Sequence, residues 1–189
     1  MILQIFSKTT LCTWLCLLGP LAATNASPTS QFPQTYQAAE PALERRGVYR
    51  YVYRVFFKLY DAALFAKKEV RAEEILNAKV PFHLEFRYLR TIDKTIILKT
   101  ADKMLERNLT AAERELIAER VSQLNAAYQT VNKGESSSLT FIPTQGTQLR
   151  INDKPIVTIP GDDFARLYFQ IWLGEKPISE SMKEELIGE

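Results

Sequence analysis

Histidine and cysteine are nearly missing from this chain of 189 residues, which has one histidine and two cysteines. A Zn²⁺ site needs several imidazoles or thiolates, so His83 with Cys12 and Cys16 sets a poor stage for one, and no metal is expected. No G-x-S-x-G elbow and no phosphate-cradling G-x-x-x-x-G-K-[ST] loop occurs, which removes local support for acyl and phosphoryl transfer. The sequence also lacks a charge excess. With 24 Lys and Arg against 22 Asp and Glu, the net charge of +2 makes no electrostatic case for nucleic acid. What is plentiful is apolar: 46% hydrophobic and 11% aromatic, too much for disorder and enough for one domain with a core.

The longest apolar run, Leu11 to Ala23, is short for a bilayer span and follows a thin positive region at Lys8. Thr24 and Ala26 suit the −3 and −1 positions of a cleavage site after Ala26. Residues 1–26 therefore read as a signal peptide, with an uncleaved N-terminal anchor as the alternative. No small residue precedes Cys12 or Cys16, so a lipoprotein anchor is not read. Cleavage would remove Lys8 and both cysteines, leaving a periplasmic or secreted protein without disulfides or a stable membrane span. Residues 27–44, polar and proline-containing, read as a flexible leader. Residues 45–189 read as a single domain, expected to be a monomer.

Within that domain, the stretch GVYRYVYRVFFKLYDAALFA alternates with period two, as a long strand or a hairpin would. Arg50, Arg54 and Lys58 share one parity; Tyr49, Tyr51, Tyr53, Val55 and Phe57 share the other. A short helix is expected over 72–79. A second strand then places Phe82, Leu84, Phe86 and Tyr88 on one side, with His83, Glu85 and Arg87 on a polar side. Asp93 is expected to cap a helix to about Asn108, and Thr110 with Glu113 forms a capping box for the next. Ile117, Val121, Leu124 and Tyr128 give that second helix its apolar stripe. Three short strands follow Gly134, the last two joined at Asn152-Asp153-Lys154. Asp162 or Asp163 is expected to cap an aromatic helix carrying Phe164, Leu167, Tyr168, Ile171 and Trp172. Gly174 and Pro177 end it, and Ser179 caps a terminal helix with Met182, Leu186 and Ile187 inward. This order describes α+β, an antiparallel sheet with helices gathered on one face.

The candidate chemistry is sparse. His83, on the polar parity of its strand, reads as solvent-facing or hydrogen-bonded rather than catalytic. Arg50, Arg54 and Lys58 read either as a solvated strand face or as a source of one pocket arginine able to hold a carboxylate or phenolate. Asn108-Leu109-Thr110 has the form of a glycosylation sequon. The aromatic helix is core, or the wall of a cavity.

Several stretches together resemble the chalcone isomerase-like superfamily, in particular its exported bacterial members. They are FFKLYDAALFA, LEFRYLRTID, VNKGESSSLTFIPTQGTQLRINDKPIVTI and FARLYFQIWLGEKPISESMKEELIG, covering nearly all of Gly47 to Gly188. The resemblance implies an open-faced β-sandwich, an antiparallel sheet with a layer of helices over one face and a cleft between. The family's plant enzymes close a chalcone without a cofactor, so none is expected here. They use an arginine, a threonine, a tyrosine and an asparagine. The arginine corresponds to Arg50 or Arg54, and the threonine position carries Tyr60. The tyrosine and asparagine positions carry Ile96 and Lys103, and a hydroxyl near the last helix matches Ser179.

Most of that polar set is thus replaced. Other branches of the superfamily bind fatty acids without catalysis, and the resemblance then implies a small apolar or amphipathic ligand between sheet and helices. Arg50 or Arg54 would anchor its anionic end, Tyr60 would donate a hydrogen bond, Trp172 would form a wall and Ser179 would lie near. One alternative is a cofactor-free intramolecular lyase or isomerase acting on an enone-like substrate, with Tyr60 as acid. The other is a structural or interaction protein whose cleft is filled by its own side chains.

Overall fold

The computed structural model describes residues 27–38 and 42–188, so the expected signal peptide lies outside the described residues. Seven strands form one sheet in chain order, every neighbour antiparallel. They are β1 (Thr35–Tyr36), β2 (Leu43–Tyr53), β3 (Phe57–Ala66), β4 (Phe82–Tyr88), β5 (Ser136–Ile142), β6 (Gly146–Ile151) and β7 (Lys154–Ile159). The period-two stretch is therefore a hairpin, β2 with β3, turning at residues 54–56. The helices are α1 (Ala72–Leu76), α2 (Lys94–Asn108), α3 (Ala111–Ala127), α4 (Asp162–Tyr168), α5 (Gln170–Leu173) and α6 (Glu180–Ile187).

Local chemistry accounts for most of the boundaries. The Asp93 side chain accepts from Thr95 N at the start of α2. Thr110 and Glu113 bond each other's backbone at the start of α3, the reciprocal arrangement a capping box requires. At the β6–β7 turn, Asn152 and Asp153 both have positive φ, the left-handed pair that a two-residue hairpin demands. The Ser179 side chain accepts from Met182 N, and α6 stops at Gly188 in the left-handed region.

One expected cap is absent. Gly161, at φ 101°, stands at the N-cap of α4 and no side chain caps it. Asp162 instead accepts from Thr144 N at 2.9 Å, and Asp163 forms an ion pair with Arg120 at 2.6 Å. Both acids are drawn off by partners from other elements, so they tie the helix down rather than cap it. The aromatic helix also breaks at Phe169, separating α4 from α5.

The apolar parities of β3, β4, β5 and β6 face the helices. Leu64, Phe82, Leu84, Leu139, Phe141 and Leu149 are fully buried there with Phe164, Tyr168 and Ile171. Burying a side chain of this size contributes about 1.5–3 kcal/mol, so this interface holds the domain together. Contact between α6 and β2 is backbone-close. A Cβ on Gly47 would fall 1.7 Å from the Glu185 carbonyl oxygen, so only glycine lets the helix seat there. Arg46 extends to the Ile187 carbonyl at 3.3 Å and fastens the end of α6.

The second face of the sheet is not left to solvent. The 3₁₀ turn Pro28–Gln31 and β1 lie in the segment expected to be a flexible leader. Phe32 is buried with Leu43, Ala63 and Phe65, and Tyr36 packs against them. Arg45 donates to the carbonyls of Thr29 and Phe32, at 2.9 and 2.6 Å. The segment is anchored because it carries aromatic rings to an apolar patch that β3 would otherwise expose.

Candidate functional site

Between sheet and helices the expected cleft is occupied by rings. Tyr60 on β3 stacks on Tyr51 of β2 with centroids 5.1 Å apart, and meets Phe86 edge-on at 5.4 Å. Phe86 in turn lies 5.3 Å from Trp172 on α5, which touches Tyr168 and Phe169. Tyr88 closes the group, its hydroxyl 2.8 Å from Ser137 Oγ. These residues meet because Tyr60, Phe86 and Tyr88 share the apolar parity of adjacent strands, with Tyr60 directly opposite Tyr88. Half-buried Tyr49, Tyr51, Leu59 and Ile178 pack around this core.

The layer's titratable groups are phenols. Burial pushes the Tyr60 hydroxyl well above its ordinary value, and the neighbouring Tyr51 and Tyr88 phenols add to this. Burial likewise raises Tyr88, to about 12, against the opposing bond from Ser137. Both are neutral at any physiological pH and weak as acids. Among the described residues, the buried charged or imidazole side chains are Asp61, His83 and Glu85, and all three belong to the opposite parity of β3 and β4.

Tyr60 and Trp172 are thus brought together, joined through Phe86. Arg50 is not with them. Its strand partner is Asp61, on the face away from the helices, and the two form a bidentate pair at 2.7 and 2.9 Å. The hydrogen bond to Asp61 raises the pKa of the guanidinium, against the cost of burial. Arg54 lies in the β2–β3 turn with its guanidinium 5.3 Å above the Tyr53 ring. Ser179 serves as the α6 cap. Ile96 and Lys103, at the two positions matched to the plant tyrosine and asparagine, are both exposed on α2.

The turn between α5 and α6 has a clamp the sequence disguised. Asn108, read as a sequon residue, donates to the Lys176 carbonyl and accepts from Lys176 N, both at 2.9 Å. A Cβ on Gly174 would lie 2.6 Å from the Gln170 carbonyl oxygen and 2.8 Å from Asn108 Oδ1, so the helix end just behind it calls for glycine at this turn. The IWLGEKP turn is therefore held onto the end of α2.

The second face carries a polar cluster in which His83, expected to be solvent-facing or hydrogen-bonded, is hydrogen-bonded and buried. His83 is 1% exposed, stacked on Tyr36 at 3.5 Å, with Nδ1 2.7 Å from Thr140 Oγ1. Among the described residues its Nε2 has no hydrogen-bond partner, and it lies 3.7 Å from Glu85 Oε2, too far for one. Burial lowers the His83 pKa, partly opposed by Glu85. Burial also pushes the Glu85 carboxyl up, but His83 and the 2.8 Å bond from Arg87 outweigh it and leave it below its usual value. Beside this cluster is a depression of about 300 Å³ near Tyr36, Thr140, Gln148 and Arg150. A larger one of about 510 Å³ lies between α2 and α3, near Asp102, Arg114, Ile117 and Asn125. Neither includes Tyr60 or Trp172 among its walls. Among the described residues, no cluster of His, Cys, Asp and Glu is arranged to hold a metal, and no helix is long and apolar enough to cross a membrane.

Comparison with the curated proteins gave no match. Among solved structures, the chain is similar in fold to a fatty-acid binding protein of Arabidopsis thaliana. The TM-score is 0.62 at 11% sequence identity, over 82% of this chain and 90% of that one. The sequence itself matches the chalcone isomerase-like family model across residues 26–188. With that match spanning both the meander and the terminal helices, the chain belongs to the chalcone isomerase-like family.

Proposed function

We propose that this protein binds a small apolar or amphipathic ligand of the fatty-acid class without transforming it, and that the layer of Tyr51, Tyr60, Phe86 and Trp172 receives it. The observation that carries this reading is the chemistry of the layer. It consists of rings and neutral phenols, with the buried charges among the described residues all on the other side of the sheet. A lyase or isomerase acting there would need a proton donor or acceptor near neutrality, and Tyr60 is displaced far from that range. Apolar contact is what such a surface offers, and the Arabidopsis protein of similar fold is a fatty-acid binding protein. The half-buried rim of Tyr49, Tyr51, Leu59 and Ile178 would part to admit a chain. We propose further that the protein acts after export, with cleavage following Ala26; N-terminal sequencing should then begin at Ser27.

A second reading has its own observation. The rings already touch one another, and the two depressions described above lie elsewhere. In that case the layer is core and the protein works through its surface. Titration with a long-chain fatty acid separates the two, because Trp172 sits in the layer and the only other tryptophan is Trp14. Cleavage after Ala26 removes Trp14, so binding predicts a saturable change in the emission of Trp172. Emission unchanged up to millimolar fatty acid would refute binding in this layer.

A further inference from the structure

The tip of the β2–β3 hairpin exposes what the rest of the molecule buries. Val55 and Phe56 are each 82% exposed, and Tyr53 and Phe57 nearly half exposed. The last rung joining β3 to β4 is Tyr60 with Tyr88, whereas β2 and β3 remain paired out to Tyr53 with Phe57. Leu89 N still bonds the Leu59 carbonyl at 2.8 Å, so Phe57 and Lys58 extend past the sheet, roughly 7 Å at about 3.3 Å per residue. The turn itself is strained. Phe56 N bonds the Arg54 carbonyl at 2.8 Å across Val55, whose φ is 67°, the pattern of the rare γ-turn with positive φ. A β-branched residue in that region is an outlier, and outliers of this kind cluster where function holds them. The strain presents two apolar side chains outward instead of turning the chain with glycine.

The surroundings of the tip are basic. Arg54 lies over Tyr53, and Arg90, from the loop after β4, lies 5.2 Å above the Phe57 ring. Lys58 is exposed beside them. Between Gly47 and Tyr60 no acid occurs, and Asp61 next to it is buried against Arg50. The acid closest to Arg90 in sequence, Asp93, holds Thr95 at the α2 cap. Exposed aliphatic and aromatic side chains ringed by cations that cover aromatic faces form an interfacial pattern, in which apolar groups enter the acyl boundary and cations meet headgroup phosphates.

We infer that the hairpin tip, Tyr53 to Lys58 with Arg90, docks this protein on an anionic lipid bilayer surface, inserting Val55 and Phe56. The inference stands independently of whether the aromatic layer holds a ligand. The test is co-sedimentation of the protein, as the cell accumulates it, with vesicles of phosphatidylglycerol and phosphatidylcholine or of phosphatidylcholine alone. An uncleaved N-terminal segment would itself bind vesicles, so the readout is the difference between chains that differ only at the tip. Val55→Asp with Phe56→Asp should weaken binding to the anionic vesicles at least tenfold, and Val55→Ser with Phe56→Ser should weaken it in the same direction. Arg54→Gln, Lys58→Gln and Arg90→Gln should each cost about fivefold on anionic vesicles and little on phosphatidylcholine. Unchanged thermal melting shows that these exposed positions leave the fold intact. Wild-type protein that ignores anionic vesicles overturns the inference. So does binding that survives both double variants, or tip-dependent capture of a protein partner without vesicle binding.

Discussion

Removing Arg50 should damage stability and leave ligand binding untouched. The Asp61 side chain is fully buried and the Arg50 side chain 22% exposed, so the guanidinium carries the pair's contact with solvent. Arg50→Ala strands a carboxylate inside the sheet. Loss of one partner from a fully buried pair costs about 3–5 kcal/mol, and screening at the partly exposed arginine lowers that to roughly 2–3 kcal/mol. For a domain of this size the melting temperature should fall by roughly 4–12 °C. Asp61→Ala alone should cost less, because the arginine left behind can turn to water. The double variant should be more stable than the sum of the single losses implies, with a coupling of about 1–2 kcal/mol in urea unfolding. Fatty-acid affinity of Arg50→Ala, measured where the variant is folded, should match wild type, since the arginine lies across the sheet from Trp172. Additive single losses, or an affinity that falls with Arg50, would refute the assignment of this residue to structure.

Two further outcomes follow from the packing and the polar cluster. His83 is held neutral by burial, so its folded pKa lies below 6.5 and the unfolded chain takes up the proton first. Stability should fall as pH drops below 6.5; His83→Gln should remove that fall and also shrink the separate loss expected below pH 4.5, where Glu85 protonates in the unfolded chain, because His83 is one of the groups that hold Glu85 low. Gly47→Ala should force α6 from β2, at a cost of about 2 kcal/mol or more, with amide exchange accelerated selectively from Met182 to Ile187.

The sequence made the helical layer legible wherever a pattern was local. The caps at Asp93, Thr110 and Ser179 each depend on residues within one turn, and all three form. The α+β architecture and the sheet-with-helices arrangement were likewise legible from alternation and order. What local pattern could not carry was the second face. The alternation left His83 solvent-facing or hydrogen-bonded; it is hydrogen-bonded, and its burial comes from a segment some fifty residues earlier in the chain, since nothing at position 83 announces Tyr36. Asp162 and Asp163 looked like caps for the same reason: their true partners, Thr144 and Arg120, are distant in sequence. The direction of Arg50 was recoverable. Tyr49 and Tyr51 take the helix-facing parity, which leaves Arg50 on the other, and the lone acid in KLYDAALFA marks its partner. The ring-filled state of the cleft was not recoverable, because it depends on Tyr60, Phe86 and Trp172 meeting from three elements.

Native mass spectrometry of the protein purified from its own host tests most directly whether the aromatic layer accepts an apolar ligand. Binding in the layer predicts an added mass of a long-chain acid, retained in Arg50→Ala and lost when Trp172→Ala and Tyr60→Ala are combined in a folded variant. A bare protein that stays bare after incubation with fatty acids would contradict it and leave the rings as core.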